Sequence, residues 1–371
     1  MSEYRGRMLH VITGVEVGGA ENHLLSLCEG LVERGFDVTV AYLKGEGELA
    51  QEFRDAGCDV VRISIHADAD PFGFARLLAH VARRDYDIVH GHLFHGNVYG
   101  VTAATLAGVP VVVSSKHNDP PFWDEQPYRL MHDVTVNRVD RVFPISDNVK
   151  RYLLATTSVS PEKVQTIQYG LDTSRFDLVE DVSTVREEFE GEKLVGTVAR
   201  LTEQKDLGTL IRAFATVAGD HDAHLVIVGR GEQRDELERL VANCGVASAV
   251  TFTGFREDVP ALMHAFDVFA LPSRWEGFGV VFLEAMAAQT PVVASNTSAI
   301  PEVVSDGTTG FLCKPGDLKA FAERISTLLN DDELRTEMGE AGRQRLESKF
   351  SVERMVDEMV AAYSSLLKTS P

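Results

Sequence analysis

One rhythm constrains this chain more than any other feature. An apolar strand, a glycine-bearing loop and an amphipathic helix follow one another, and the series begins again near the middle. Met8–Thr13 is the first apolar run, glycines punctuate residues 14–19, and Ala20–Arg34 sets Leu24, Leu27, Leu31 and Val32 at helical spacing. Gly35 stops that helix, and strands are predicted at Asp37–Tyr42, Val60–Ile63, Ile88–His90, Val109–Ser114 and Val142–Ile145. The restart gives a strand at Leu194–Val198, a helix at Leu207–Ala218, a strand at Ala223–Val228 and a helix at Gln233–Cys244. Strands at Val250–Thr253, Val268–Leu271 and Val292–Ala294 follow. Strands alternating with helices join as parallel βαβ units with right-handed crossovers. The predicted class is α/β, with two doubly wound domains parted in the polar stretch Leu171–Glu192; 371 residues suit two domains at roughly 150 each. The last helix, Ser351–Leu367, carries Met355, Val356, Met359, Val360, Tyr363 and Leu367 on one face and needs a groove for them.

Charge narrows the partners. Thirty-six basic against 56 acidic residues leave a net −20, which repels nucleic-acid phosphate and anionic lipid. Lys is scarce beside Arg, a pattern that fits either a salt-adapted cytoplasm or simply an acidic protein. Cys28, Cys58, Cys244 and Cys313 form no CxxC, which argues against a metal knuckle or a disulfide framework. The opening residues lack the apolar core of a signal peptide, and no run is long enough to span a bilayer. The expected setting is reduced and cytoplasmic.

In open parallel sheets, ligands sit beyond the carboxyl ends of the strands, so the post-strand loops are where chemistry is sought. The first, Gly14–Asn22, holds Gly18 and Gly19 ahead of a helix. That suits an anion or a tight folding turn, and it matches neither GxGxxG nor GxxxxGK[ST]. The second is a histidine cluster, His90, His92 and His95, with Lys116, His117 and Asn118 after the next strand. It reads as polar substrate contacts with His117 foremost, as core histidines, or as a metal site that lacks matched carboxylates. The third, Ala199–Asp206, sets Arg200 and Lys205 before a helix start. This is either a diphosphate site or a solvated turn. The fourth, Ser273–Ala287, brings Gly277, Phe278 and Gly279 to a helix start, with Glu276 before it and Glu284 in its second turn. A carboxylate in so apolar a segment needs a partner, and sugar or ribose hydroxyls would serve; so would a structural partner.

The fourth loop, Glu276-Gly-Phe-Gly-Val-Val-Phe-Leu-Glu284-Ala-Met-Ala, resembles the paired-glutamate signature of family-4 retaining glycosyltransferases. The resemblance extends over nearly the whole chain. It takes in Gly18-Gly19-Ala20-Glu21, Gly196–Arg200 with Lys205, Val226–Gly229, Phe252–Phe255 and Ala299–Glu302. It also takes in Tyr169-Gly170-Leu171-Asp172, where Tyr169 replaces the family's Asn.

The resemblance implies the GT-B architecture of two Rossmann-like domains facing across a cleft. Residues 1–172 would form the acceptor domain, 173–350 the nucleotide-sugar domain, and 351–371 a helix crossing back to the first. It implies a UDP-sugar or GDP-sugar as co-substrate and no other cofactor. Arg200 and Lys205 would hold the diphosphate with the Gly277–Gly279 amides, and Gly18, Gly19 and Gly229 would belong to the same binding set. Glu284 would take the ribose, Glu276 the sugar hydroxyls near O3, and His117 the C6 hydroxyl. No metal is expected, and Asp68-Ala-Asp70 is a DxD outside the strong motifs. The implied reaction is metal-independent, retaining hexosyl transfer in the synthesis of cell-surface glycan, glycolipid or lipid-linked oligosaccharide. An epimerase or hydrolase on the same fold, or a non-catalytic sugar-nucleotide binder, are the alternatives. The acceptor would be read by Leu93–Tyr99 and Asn118–Arg129. Within the latter, Pro120–Trp123 is either a packed loop or a contact for a lipid-linked acceptor or the inner membrane face.

Overall fold

The computed structural model describes residues 5–118, 128–179 and 181–369. The chain divides into two compact units, residues 1–170 with 351–371, and residues 171–350.

The first unit is built on β1 (Gly6–Ile12), β2 (Phe36–Tyr42), β3 (Asp59–Arg62), β4 (Ile88–Gly91), β5 (Val111–Lys116) and β6 (Arg141–Pro144). They form one parallel sheet in the order β3-β2-β1-β4-β5-β6. Strand β5 starts two residues later than the periodicity predicts. Pro110 has no N–H to give a ladder, so pairing begins after it and extends through Lys116, which is thereby carried into the sheet and buried. The helix Gly19–Glu33 covers one face together with the closing helix Val352–Thr369. Leu24, Leu27 and Leu31 of the former share a core with Met355, Met359 and Tyr363 of the latter. Cys28 and Cys58 are free thiols in that core, and burial pushes the Cys28 thiol up. A second core, with Leu77, Val101 and Val136, fills the opposite face.

The second unit repeats the plan with β7 (Lys193–Val198), β8 (Ala223–Val228), β9 (Val250–Gly254), β10 (Val268–Leu271), β11 (Val292–Ser295) and β12 (Gly310–Cys313), ordered β12-β11-β10-β7-β8-β9. Counted from its own first strand, each sheet has the order 3-2-1-4-5-6. In each, the winding reverses between the first strand and the fourth, β1/β4 and β7/β10, and that is where an open sheet leaves a crevice for a ligand. Phe214, Phe269, Phe282 and Phe321 are buried in the core of the second unit. Among the described residues, no helix is long and apolar enough to cross a membrane.

Candidate functional site

The loops after β7 and β10 meet at the second sheet's switch point. Beyond β7 the chain makes one 3-10 turn, Glu203–Lys205, and enters the helix Leu207–Val217 through Asp206, whose φ is +48°. Asp206 Oδ2 accepts the Thr209 hydroxyl at 3.0 Å, which fixes that corner. Two bonds stitch the loops together: Gln204 Nε2 donates to Trp275 O at 2.9 Å, and Arg274 N donates to Gln204 O at 2.8 Å. Lys205 Nζ therefore lies 2.5 Å from Glu276 Oε1, and the Ser273 hydroxyl donates to the same oxygen at 2.7 Å. The two charged side chains are 13% and 7% exposed, so water screens the pair weakly. Both bonds fall on Oε1; among the described residues nothing bonds Oε2.

Three residues further on, Gly279 (φ +90°) turns the chain into the helix Val280–Ala287. A Cβ there would press into the Phe282 ring at 2.6 Å, so the corner needs glycine. The first amides of that helix have no partner within the helix and point toward any anion held at its start. Glu284 keeps a small exposed area, yet the protein around it pushes its carboxyl up to about 7 against the pull of Arg175. Among the described residues no hydrogen bond reaches that carboxyl. Arg200 is exposed and likewise has no partner among the described residues.

In two residues of the predicted donor set a scaffold role is visible, in the Gly229 amide and in the Phe278 ring. The N–H of Gly229 is spent on Gly254 O at 2.8 Å, and at its φ of +132° a Cβ would collide with Ala199 O. Gly229 thus lets β8 close against the loop bearing Arg200 and has no N–H to offer a ligand. The ring of Phe278 is buried against Phe350, with centroids 5.7 Å apart, so only its main chain, like that of Gly277, can meet a phosphate.

In the first unit, Gly18 and the exposed Gly19 begin the helix Gly19–Glu33 without a side-chain cap from the N-cap position, and the Glu21 carboxylate lies over Gly18. The predicted histidine cluster divides. His95 leaves it for the surface, where Lys44 Nζ, Asp68 Oδ1 and His95 Nε2 lie within 2.8–3.0 Å of one another. Asp70 caps the helix Pro71–Ala82 by accepting from Gly73 N, so each carboxylate of the DxD has its own partners.

The remaining histidines are buried. His10 Nδ1 lies 2.9 Å from His92 Nε2, His92 Nδ1 lies 3.1 Å from His117 Nε2, and His117 Nδ1 is bonded to the Tyr169 hydroxyl. His90 bonds Tyr363 OH at 2.6 Å and Ser115 Oγ at 2.8 Å. Burial holds all of these imidazoles neutral, His10 and His117 down to about 3. His10, His90 and His92 bring ring nitrogens within 4.8 Å of one another, as a metal trio would. Yet the His90 and His92 rings lie one over the other, with centroids 4.0 Å apart, and both nitrogens of each are already bonded, as is His10 Nδ1. The arrangement is a polar network that does not converge on an ion.

Sequence reasoning gave Tyr169 no role beyond replacing the family's Asn and did not single out His10 or His23. His23 stacks on Tyr169 at 3.9 Å, and Tyr169 is what holds His117. The signal was present in the place of Tyr169 within a motif otherwise kept. Pro120–Trp123 and most of Asn118–Arg129 lie outside the described residues.

Residues 17–175 match the family described as Glycosyltransferase Family 4, and residues 180–345 match Glycosyl transferases group 1. An uncharacterized glycosyltransferase of Methanocaldococcus jannaschii, MJ1607, is 28% identical over 94% of each chain. The alpha-maltose-1-phosphate synthase of Mycolicibacterium smegmatis is 30% identical over 74% of this chain and 78% of its own. Among solved structures, Anabaena Alr3699/HepE in complex with UDP and glucose superposes with a TM-score of 0.88 at 23% identity, over 97% of this chain and 100% of that one. Two parallel 3-2-1-4-5-6 sheets of the GT-B kind, the paired glutamates at the second switch point and these matches lead to one identification: the chain belongs to the family-4, group 1 glycosyltransferases.

Proposed function

We propose that this glycosyltransferase moves a hexosyl group from a UDP- or GDP-sugar to an acceptor hydroxyl, with retention at the anomeric carbon and without a metal ion. The observation that carries the reading is Lys205, a nearly dry cation pinned by Glu276 close to the start of the helix Val280–Ala287. As the bond from C1 to the diphosphate oxygen breaks, negative charge grows on the leaving group. Lys205, Arg200 and the main chain of Gly277–Gly279 are preorganised to stabilise it. Glu284, desolvated and without a described partner, takes the ribose hydroxyls; Glu276 takes sugar hydroxyls at Oε2 while Oε1 stays with Lys205. By the resemblance, Gly18 and Gly19 are assigned to the donor phosphates and His117 to the sugar's C6 hydroxyl. The acceptor oxygen bonds C1 on the face the diphosphate leaves, and its proton passes to the departing phosphate oxygen.

Glu276 and Glu284 belong to one loop and helix and do not flank a scissile bond as glycosidase carboxylates do, so both are assigned to binding. The cations stand in for a metal, and Asp68 and Asp70 are already engaged. The presence of UDP, and in another crystal UDP-glucose, in HepE structures supports a nucleotide-sugar donor. The enzyme is taken to work in the cytoplasm, at the inner membrane face when its acceptor is lipid-linked.

The test is to follow nucleoside diphosphate release from UDP-glucose and GDP-mannose in EDTA, with and without glycan and glycolipid acceptors, and to read the product's anomeric configuration by NMR. Acceptor-stimulated release with retention is expected. Inversion, a metal requirement or release indifferent to every acceptor would contradict the reading, and a free epimerised sugar would favour the alternative chemistry.

A further inference from the structure

We propose that Lys44, Asp68 and His95 form an acceptor subsite in the first unit, and that it takes an uncharged, hydroxyl-rich end group, the terminal sugar of a glycan, in preference to a carboxylate or phosphate. The subsite is the acceptor side of the glycosyl transfer proposed above and rests on that reading.

The three side chains come from the loops after β2, β3 and β4, at the carboxyl end of the sheet that holds the β1/β4 switch point. Lys44 Nζ lies 2.9 Å from Asp68 Oδ1 and 3.0 Å from His95 Nε2, and His95 Nε2 lies 2.8 Å from the same Oδ1. Each loop is anchored close to the cluster. Lys44 N donates to Thr13 O at 2.7 Å, and His95 N donates to the Thr13 hydroxyl at 3.2 Å. The hydroxyl of the buried Tyr99 donates to Asp68 O at 3.0 Å and accepts from Asp70 N at 2.7 Å, which pins the turn bearing Asp68. His95 itself stands between Leu93, whose φ of +57° costs a non-glycine residue strain, and the π-turn Gly96–Gly100. An exposed ion pair stabilises a fold little, so it does not account for that much fixed backbone. Polar side chains held in one geometry for a ligand do.

The close contacts of the Asp68 carboxylate all fall on Oδ1. The side chain is 64% exposed, and among the described residues nothing bonds Oδ2. Lys44 and His95 hold the Asp68 carboxyl below the usual range, so it is ionised at neutral pH. Burial holds His95 down against the opposing pull of Asp68, so its imidazole is neutral. The cluster therefore offers a carboxylate oxygen that accepts from one hydroxyl and, beside it, an ammonium that donates to another. Adjacent hydroxyls of a sugar fill both roles. The surrounding charges set the preference. Glu16 accepts from Gly47 N and Glu48 N, Glu48 accepts from Val17 N, and Glu46 pairs with Arg62 at 3.5 Å. Across these loops and the helix start that follows them, the carboxylates of Glu16, Glu46, Glu48, Asp68 and Asp70 outnumber the cations of Lys44, Arg62 and Arg76. An acceptor that brings its own negative charge is repelled there, and a neutral sugar is not.

Saturation-transfer NMR of the full chain without nucleotide reads the subsite apart from the donor. The probes are methyl α-glucoside, methyl α-mannoside and maltose. At least one is expected to bind, and Asp68→Ala and Lys44→Ala are each expected to weaken it about tenfold. If Asp68→Ala fails to fold, Lys44→Ala alone decides. With UDP-glucose or GDP-mannose as donor, that glycoside is expected to accept the sugar, while glycerol 3-phosphate and malate accept none. Asp68→Ala is expected to raise the glycoside's KM about tenfold, with the Kd of the nucleoside diphosphate within about twofold. No neutral probe bound, an affinity indifferent to both substitutions, or transfer to either anion would overturn the proposal. Wild-type protein that binds a glycoside at this cluster but neither UDP nor GDP would sink the glycosyl-transfer reading and leave the sugar subsite standing.

Discussion

Glu284 and Lys205 show how much a single side chain can carry here. An ordinary glutamic acid loses its proton near 4.5, whereas Glu284 holds it to about 7 because burial disfavours the charged form. The unfolded chain therefore releases that proton first. The free protein loses stability as pH climbs from about 4.5 to 7, by at most about 3 kcal/mol, and loses no more above. Ribose hydroxyls need the ionised carboxyl as acceptor, so donor affinity is expected to rise as pH passes through about 7. In Glu284→Gln it should be weak and flat between pH 6 and 8; calorimetric titration across that range checks it, and identical profiles would refute a ribose role. Lys205→Ala removes the cation proposed to face the leaving group and leaves Glu276 with Ser273. Turnover is expected to fall about 10²-fold or more. Denaturant unfolding should show a loss of about 3 kcal/mol, because a nearly dry carboxylate is left without its partner. Normal turnover in that variant would remove Lys205 from the mechanism.

At the scale of elements, the strand ends of the first unit concentrate buried neutral histidines, and this makes a pH prediction. Histidines whose pKa is lowered on folding gain their protons first in the unfolded chain, below the ordinary 6.5. Stability is full above that value and falls as pH drops from 6.5 toward 3, by up to about 1.4 kcal/mol per pH unit for each group. Five such groups, His10, His23, His90, His92 and His117, should unfold the protein near pH 5. Equilibrium denaturation from pH 8 to 5 tests this, and a flat profile would contradict it. Elements with a strong apolar period were legible in the sequence: β8 and β10 span the residues that the pattern gave. Strand β12 was not, because four edge residues opening on Gly310, two buried and two half-buried, have no period to detect. Nor was the line from His10 to Tyr169. Its members come from β1, the ends of β4 and β5, and residue 169, and only the folded sheet brings them together. The post-strand loops were legible as places because the switch-point rule holds for both sheets. What each loop's glycine does was not, and Gly229 shows why: its demand comes from a neighbouring loop's carbonyl, invisible along the chain.

At the scale of the whole molecule, a net charge of −20 works against compactness, and salt screens that repulsion. Tm is expected to rise steadily from 0.1 to 2 M KCl; a Tm independent of salt would leave the acidic composition without a role in salt adaptation. The same exterior makes the proposed role of Lys205 and Arg200 the more demanding, since an anionic ligand must be drawn to a protein that otherwise repels it. The account's central claim is that these two side chains grip a nucleoside diphosphate, and calorimetric titration of the full chain with UDP and GDP, for wild type and Lys205→Ala, tests it most directly. At least one of the two should bind the wild type, with affinity reduced tenfold or more in the variant and weakened by added salt. Binding of neither nucleotide, or equal binding by both proteins, would contradict it.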